Sequence, residues 1–172
     1  MNAASGLRFS LHEPPITMSS SSGITVDESS PEARRTPLAA RHSIHVVAGA
    51  LCDSSGRVLI AQRPAGKHMA GGWEFPGGKL EPNEDPFAGL QRELREELGL
   101  EILRATPLIA YEHRYAERTV FLDLWLVHEF TGEPQSLDAQ ALRWVTLEEL
   151  DSVGLLKADE PMIGALKAAM KV

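Results

Sequence analysis

Gly78-Lys79-Leu80-Glu81-Pro82-Asn83-Glu84-Asp85-Pro86-Phe87-Ala88-Gly89-Leu90-Gln91-Arg92-Glu93-Leu94-Arg95-Glu96-Glu97-Leu98-Gly99-Leu100 carries its own signals for where a helix starts and stops. Asp85 suits an N-cap, Pro86 suits the first helical position, and Gly99 suits a left-handed C-terminal stop, so a helix is predicted over 85–98. Phe87, Leu90, Leu94 and Leu98 recur at three- and four-residue steps, which at about 3.6 residues per turn makes one apolar stripe for packing on a sheet. Glu93, Glu96 and Glu97 stand at i, i+3 and i+4 and share a second face. Like charges at these spacings cost a few tenths of a kcal/mol per pair. Near a helix C-terminus each also opposes the macrodipole by about 0.3–1 kcal/mol. Such a face asks for a counterion; the plain alternative is a solvated acidic surface partly neutralised by Arg92 and Arg95.

Working outward, Ser43 to Leu51 is a β-branched, apolar run, Asp53-Ser54-Ser55-Gly56 is a turn, and Arg57 to Gln62 is a second strand, together a hairpin signal. A glycine-rich loop runs from Pro64 to Gly78. Beyond the helix, strands are predicted at 101–104, 107–115 and 118–130, a turn at Gly132-Glu133-Pro134, a strand from Leu142 to Thr146, and a helix from Glu160 to Lys171. Strands interrupted by two helices predict an α/β sandwich with a mixed sheet, and no internal repeat is present. Residues 1–41, rich in Ser, Pro, Thr and Ala and containing Ser19-Ser20-Ser21-Ser22, lack periodicity and read as a flexible N-terminal tail before a domain over 42–172. A transit peptide is the alternative for the tail, against which Glu13, Asp27, Glu28 and Glu32 weigh.

Composition narrows the function classes. A net charge of −7, from 17 Lys and Arg against 24 Asp and Glu, disfavours a nucleic-acid polymer as partner, while a small phosphorylated ligand bridged by metal stays compatible. The single cysteine, Cys52, lies in an apolar run and reads as a small core residue rather than a nucleophile. With no apolar stretch near the ~20 residues of a membrane helix and no signal peptide at its start, the chain reads as soluble, cytoplasmic and free of membrane partners.

From Gly78, five residues lead to Glu84, seven more to Arg92, and then come Glu93-Leu94-Arg95-Glu96-Glu97-Leu98-Gly99-Leu100. This resembles the complete Nudix box, in which no defining position is missing, and implies a Nudix-type α/β/α sandwich. The resemblance implies that Glu93, Glu96 and Glu97 are the catalytic and metal-binding carboxylates, one of them helping deprotonate the attacking water, with the Gly77 carbonyl as a further ligand. It implies structural support of that box by Gly78, Glu84 and Arg92. The cofactor implied is Mg²⁺, a hard cation suited to carboxylates, water and substrate phosphates, with Mn²⁺ as a possible substitute. Gly89, one turn before Glu93, is read as leaving space for metal and phosphate, although a glycine inside a helix costs about 1 kcal/mol relative to alanine.

The flanks speak to the substrate. Arg63-Pro64-Ala65-Gly66-Lys67-His68-Met69-Ala70-Gly71-Gly72-Trp73-Glu74-Phe75-Pro76-Gly77-Gly78-Lys79, Gly132-Glu133-Pro134, Leu142-Arg143-Trp144-Val145 and Ala158-Asp159-Glu160-Pro161-Met162-Ile163 resemble the MutT-like branch, the 8-oxo-dGTP diphosphatases. That likeness implies a nucleotide substrate contacted by Arg63, His68, Glu74, Phe75, Lys79 and Asp159. It also implies an approach of Asp138 to the metal or water, with a side chain one methylene shorter than the branch's glutamate. At Asp159 the bacterial prototype has asparagine, which both donates and accepts; an ionised aspartate only accepts, from the N7–H of 8-oxoguanine or equally from the cytosine amine. The reading is hydrolysis of 8-oxo-dGTP to 8-oxo-dGMP and pyrophosphate by a monomer or weak dimer. The alternatives are a CTP or modified-pyrimidine pyrophosphohydrolase, or a nucleotide-sensing module without turnover, against which the intact glutamates weigh.

Overall fold

The computed structural model describes residues 44–170; the expected tail over 1–41 and Lys171, the expected last residue of the final helix, lie outside the described residues. In chain order the elements are β1 (Ile44–Leu51), β2 (Val58–Gln62), β3 (Trp73–Glu74), β4 (Gly77–Lys79), α1 (Pro86–Leu98), β5 (Glu101–Arg114), β6 (Thr119–Thr131), β7 (Ala141–Val145), a short 3₁₀ turn at Glu149–Asp151, and α2 (Glu160–Met170). A four-stranded sheet is ordered β4-β1-β6-β5. In it β1 runs parallel to β6, from Ile44 opposite Val120 to Leu51 opposite Val127, and the other pairs are antiparallel. A second, antiparallel sheet is ordered β3-β2-β7.

The expected hairpin of the first two strands does not form. Asp53 does build the turn, its Oδ1 accepting from the backbone N–H groups of Ser55 and Arg57 at 2.9 Å each, and Cys52 bridges Val58 at its base. Beyond that bridge the strands part, because both edges of β1 are taken by β4 and β6, so β2 enters the second sheet. The two strands expected at 101–104 and 107–115 are one strand, β5, whose register slips between Ile102 and Arg104, Arg104 and Ala105, and Pro107 and Ile109. As the outermost strand it tolerates Pro107, which has no N–H to give a neighbour.

The buried side chains of β1 alternate between two cores. Val47 and Leu51 join Leu90, Leu94 and Leu98 of α1 on one side, while Ala48 and Ala50 join Met162, Ile163 and Leu166 of α2 on the other. The helices therefore cover opposite faces, and the architecture is the expected α/β/α sandwich. Each of the three fully buried α1 leucines contributes about 1.5–3 kcal/mol over exposure. Trp125 and Trp144 pack partly buried against the α1 cluster. Cys52 lies 3.6 Å from the Met170 sulfur, and burial pushes its thiol up to about 11, away from nucleophilic duty.

Candidate active site

Helix α1 forms as its local code requires. The Asp85 side chain accepts from the Phe87 and Ala88 N–H groups at 3.0 and 3.1 Å, and Gly99 closes the other end at φ 70°. With the leucine stripe facing the sheet, Glu93 and Glu97 are turned toward β4. The Gly77 N–H donates to Glu97 Oε2 at 3.3 Å. A Cβ on Gly78 would stand 2.2 Å from Glu93 Oε2, so only glycine lets the strand pass this close to the carboxylate. Gly77 is held at φ 151°, and a Cβ there would lie 2.1 Å from the Val47 carbonyl oxygen. Gly78 thus sets the spacing between β4 and the acidic face, and Gly77 that between β4 and β1.

Arg92 organises that face. Its Nε and Nη2 donate to the two oxygens of Glu84 at 2.8 Å each, Nη1 to Glu93 Oε1 at 2.8 Å, and Nη2 also to the Lys79 carbonyl at 3.0 Å. Glu84 further accepts the Glu81 N–H, and these bonds hold its carboxyl well down, at about 2. Glu96 is mostly exposed and only grazes the guanidinium at 3.5 Å. Glu97 is pushed up to about 7, first by burial and then by the charge of Glu93. Among the described residues no three acidic, histidine or cysteine side chains converge into a ready-made metal cage. The donor set nevertheless fits Mg²⁺, which takes one or two carboxylates and completes its shell with water and substrate phosphates. Glu97, whose carboxyl is pushed up by burial and by the charge of Glu93, is a group that a bound cation would hold ionised.

Gly89 has a different duty from the one expected. It is buried, and a Cβ would lie 2.1 Å from Leu80 Cδ2 and 3.0 Å from Glu84 Oε2. The space it leaves is filled by the segment that enters the helix, not kept for a ligand.

A second group of predicted residues gathers at the far end of the approach loop. Phe75 is buried, and its N–H donates to Asp159 Oδ2 at 3.2 Å. Asp159 is only 7% exposed and is pushed up to about 7, by burial first and then by the Glu74 charge. Arg63 Nε donates to Glu74 Oε2 at 2.7 Å and its Nη1 to the His68 carbonyl at 2.9 Å. The His68 ring lies edge-on to Tyr115 with centroids 6.2 Å apart, and Tyr111 donates to the Ala158 carbonyl beside Asp159. Lys79 is exposed; only its carbonyl joins the network. Arg63, Glu74, Phe75 and Asp159 are thus brought together.

Asp138 is not gathered with the glutamates but pairs with Lys67, Oδ2 to Nζ at 2.6 Å. Its loop sits on the end of α1: Leu137 N–H and Gln140 Nε2 both donate to the Glu97 carbonyl at 3.1 Å, and the Asp138 N–H donates to Gln140 Oε1 at 3.0 Å. Lys67 and the buried Gln140 escaped the sequence reading. Their partners are distant in the chain, 71 residues for Lys67 and 43 for Gln140, and no local spacing announces them.

Comparison with known proteins agrees with this geometry. The family model described as a NUDIX domain matches residues 47–165. The 8-oxo-dGTP diphosphatase of Proteus vulgaris is 45% identical over 93 residues, covering 54% of this chain and 83% of that protein. The CTP pyrophosphohydrolase of Escherichia coli (strain K12) is 42% identical over 125 residues, 73% of this chain and 92% of its own. The solution structure of the E. coli ORF135 protein superposes with a TM-score of 0.69 at 40% identity, covering 77% of this chain and 94% of that one. With the complete box running from β4 through α1 and the family match covering residues 47–165, this chain belongs to the Nudix hydrolase family.

Proposed function

We propose that this protein hydrolyses 8-oxo-dGTP to 8-oxo-dGMP and pyrophosphate in the cytoplasm, using Mg²⁺, with CTP as the second reading. The observation that carries the choice of base is Asp159, a buried carboxyl beside Phe75 poised between its protonated and ionised forms. Guanine presents two acceptors, N7 and O6, on one edge. Oxidation at C8 turns N7 into a donor, and a protonated carboxyl, which donates and accepts, complements that new pair. Cytosine presents a donor and an acceptor side by side as well, and the CTP pyrophosphohydrolase of E. coli is among the similar proteins, so CTP is retained.

At the other end, Glu93, Glu96 and Glu97 would hold the metal, with the Gly77 carbonyl as a further ligand. Bound Mg²⁺ supplies charge neutralisation for the phosphoryl oxygens and a lower pKa for water. Arg92 keeps Glu93 in place from one side while Gly78 leaves it room from the other. One of these glutamates would take the proton of the attacking water as its oxygen bonds to phosphorus and the P–O bond to the leaving phosphate group breaks. Phe75 offers an apolar wall to the base, and Arg63, Glu74, His68 and Lys79 line the way between base and phosphates. The net charge of −7 and this small site support a free nucleotide rather than a polymer as substrate, and a monomer or weak dimer suffices.

The test is kcat/KM for 8-oxo-dGTP, dGTP and CTP in Mg²⁺, with products separated by ion exchange and Glu97→Gln as the inactive control. Selectivity for 8-oxo-dGTP over dGTP of at least about 100-fold, ~2.7 kcal/mol of transition-state binding, is expected. A preference for CTP selects the second reading, and no turnover of any of the three defeats both.

A further inference from the structure

We propose that Lys67 binds the pyrophosphate portion of the incoming nucleotide, exchanging its partner Asp138 for substrate phosphate. The inference rests on the reading of the protein as a nucleoside triphosphate hydrolase.

Two loops from distant parts of the chain meet at this ion pair. The first, residues 63–72, is closed on itself: Arg63 N–H donates to the Gly72 carbonyl at 3.0 Å, Gly71 N–H to the Arg63 carbonyl at 2.9 Å, and Ala70 N–H to the Lys67 carbonyl at 3.1 Å. It presents Lys67 at its exposed tip. The second, residues 135–140, is fixed to the end of α1 through the Glu97 and Leu98 carbonyls. The Lys67–Asp138 contact therefore spans from the approach loop to the catalytic end of the helix. The carboxylates whose charge reaches the ammonium are Asp138, Glu97 and Glu74, which run from the metal-binding end toward the base end of the site.

As a fold stabiliser the pair has little value. The two side chains are 56% and 49% exposed, and exposed pairs contribute about 0–1 kcal/mol. Its placement asks for another reason. A triphosphate approaching Glu74, Glu93, Glu96, Glu97 and Asp138 on an acidic chain needs cations, and two nearby guanidinium groups are already committed. Arg92 is divided among Glu84, Glu93 and the Lys79 carbonyl, and Arg63 between Glu74 and the His68 carbonyl. Lys67 is tied by one exposed contact, and an ammonium on a four-carbon stem is a compact charge that changes partners readily. A polyphosphate oxygen offers it a stronger anion than a single solvated carboxylate does.

The experiment uses the full chain with Mg²⁺ and two probes: the α,β-methylene analogue of 8-oxo-dGTP, or of CTP if the wild type prefers it, and the corresponding nucleoside monophosphate. Lys67→Ala is expected to weaken the triphosphate analogue about 10-fold, ~1.4 kcal/mol, and to change the monophosphate by less than about twofold. Lys67→Arg should recover most of the loss, and in turnover KM should rise by the same factor with kcat nearly unchanged. Equal weakening of both probes would make Lys67 a support of the loop only, and no change in either would remove it from the site; each overturns the inference while leaving the hydrolase reading intact. Failure of the wild type to bind or turn over any triphosphate would overturn the hydrolase reading, and this inference with it.

Discussion

If Asp159 reads the base as proposed, a single proton on its carboxyl decides what it can read. Burial and the neighbouring Glu74 raise its carboxyl to about 7, so near neutrality acid and carboxylate coexist. The acid donates toward an O6-type acceptor and accepts from an N7–H; the carboxylate only accepts and faces O6 unfavourably. The fraction able to complement 8-oxoguanine fully is therefore present below pH 7 and lost as pH rises through it. Asparagine holds both functions at every pH. The ratio of kcat/KM for 8-oxo-dGTP between wild type and Asp159→Asn should fall from pH 6 to pH 8, a comparison in which titration elsewhere in the site cancels. Asp159→Ala leaves the base's polar edge unpaired and should cost about 1–3 kcal/mol, roughly 5- to 150-fold in kcat/KM. A flat ratio, or an alanine variant with the wild-type order of bases, would take Asp159 out of base recognition.

Among the elements, β4 is wedged between β1 and α1, with Gly77 against the first and Gly78 against the second. Gly77→Ala forces a Cβ to 2.1 Å from a backbone oxygen of β1 at φ 151°, where neither atom has a rotamer through which to escape. A loss of at least about 2 kcal/mol is expected in denaturant titration, within the range of backbone strain plus a core clash. Gly164→Ala in α2 is the contrast. Nothing lies within 4 Å of its Cβ position, so the variant should gain about 0.5–1 kcal/mol from helix propensity. The contrast also marks what could be read in advance. Helix α1 was legible because caps, stripe and acidic face are local in sequence, and its observed span, Pro86–Leu98, follows from Asp85, Pro86 and Gly99. The β1–β2 hairpin was misread because whether two neighbouring strands pair depends on who holds the edges, and β4 and β6 come later in the chain. Gly89 was read toward the ligand for a similar reason, since Leu80 and Glu84 fill its space only once the loop folds back.

For the whole molecule, the raised carboxyls of Glu97 and Asp159, with that of Glu74 also raised by burial, tie stability to pH. The family, the sandwich and the acidic face were all legible in a contiguous motif, whereas the protonation of Glu97 and Asp159 follows from long-range burial and could not be. For each, the folded state holds a proton up to about pH 7 that the unfolded chain releases near its ordinary carboxylate value. Between those values the unfolded state binds fewer protons, so unfolding free energy falls as pH rises, by up to about 1.4 kcal/mol per pH unit for each group, and levels off above pH 7. Glu84 works in the opposite sense, but its carboxyl lies at about 2 and affects stability only in acid. In EDTA the melting temperature should therefore drop from pH 5.5 to pH 7.5. Mg²⁺ binds the ionised carboxylates and must displace the Glu97 proton at low pH, so excess Mg²⁺ should raise the melting temperature more at pH 8 than at pH 6. Glu97→Gln, which carries no proton to displace and no charge for the metal, should lose most of that Mg²⁺ effect. An equal Mg²⁺ shift at both pH values, or one that survives Glu97→Gln unchanged, would mean that metal binds this fold elsewhere than at the end of α1.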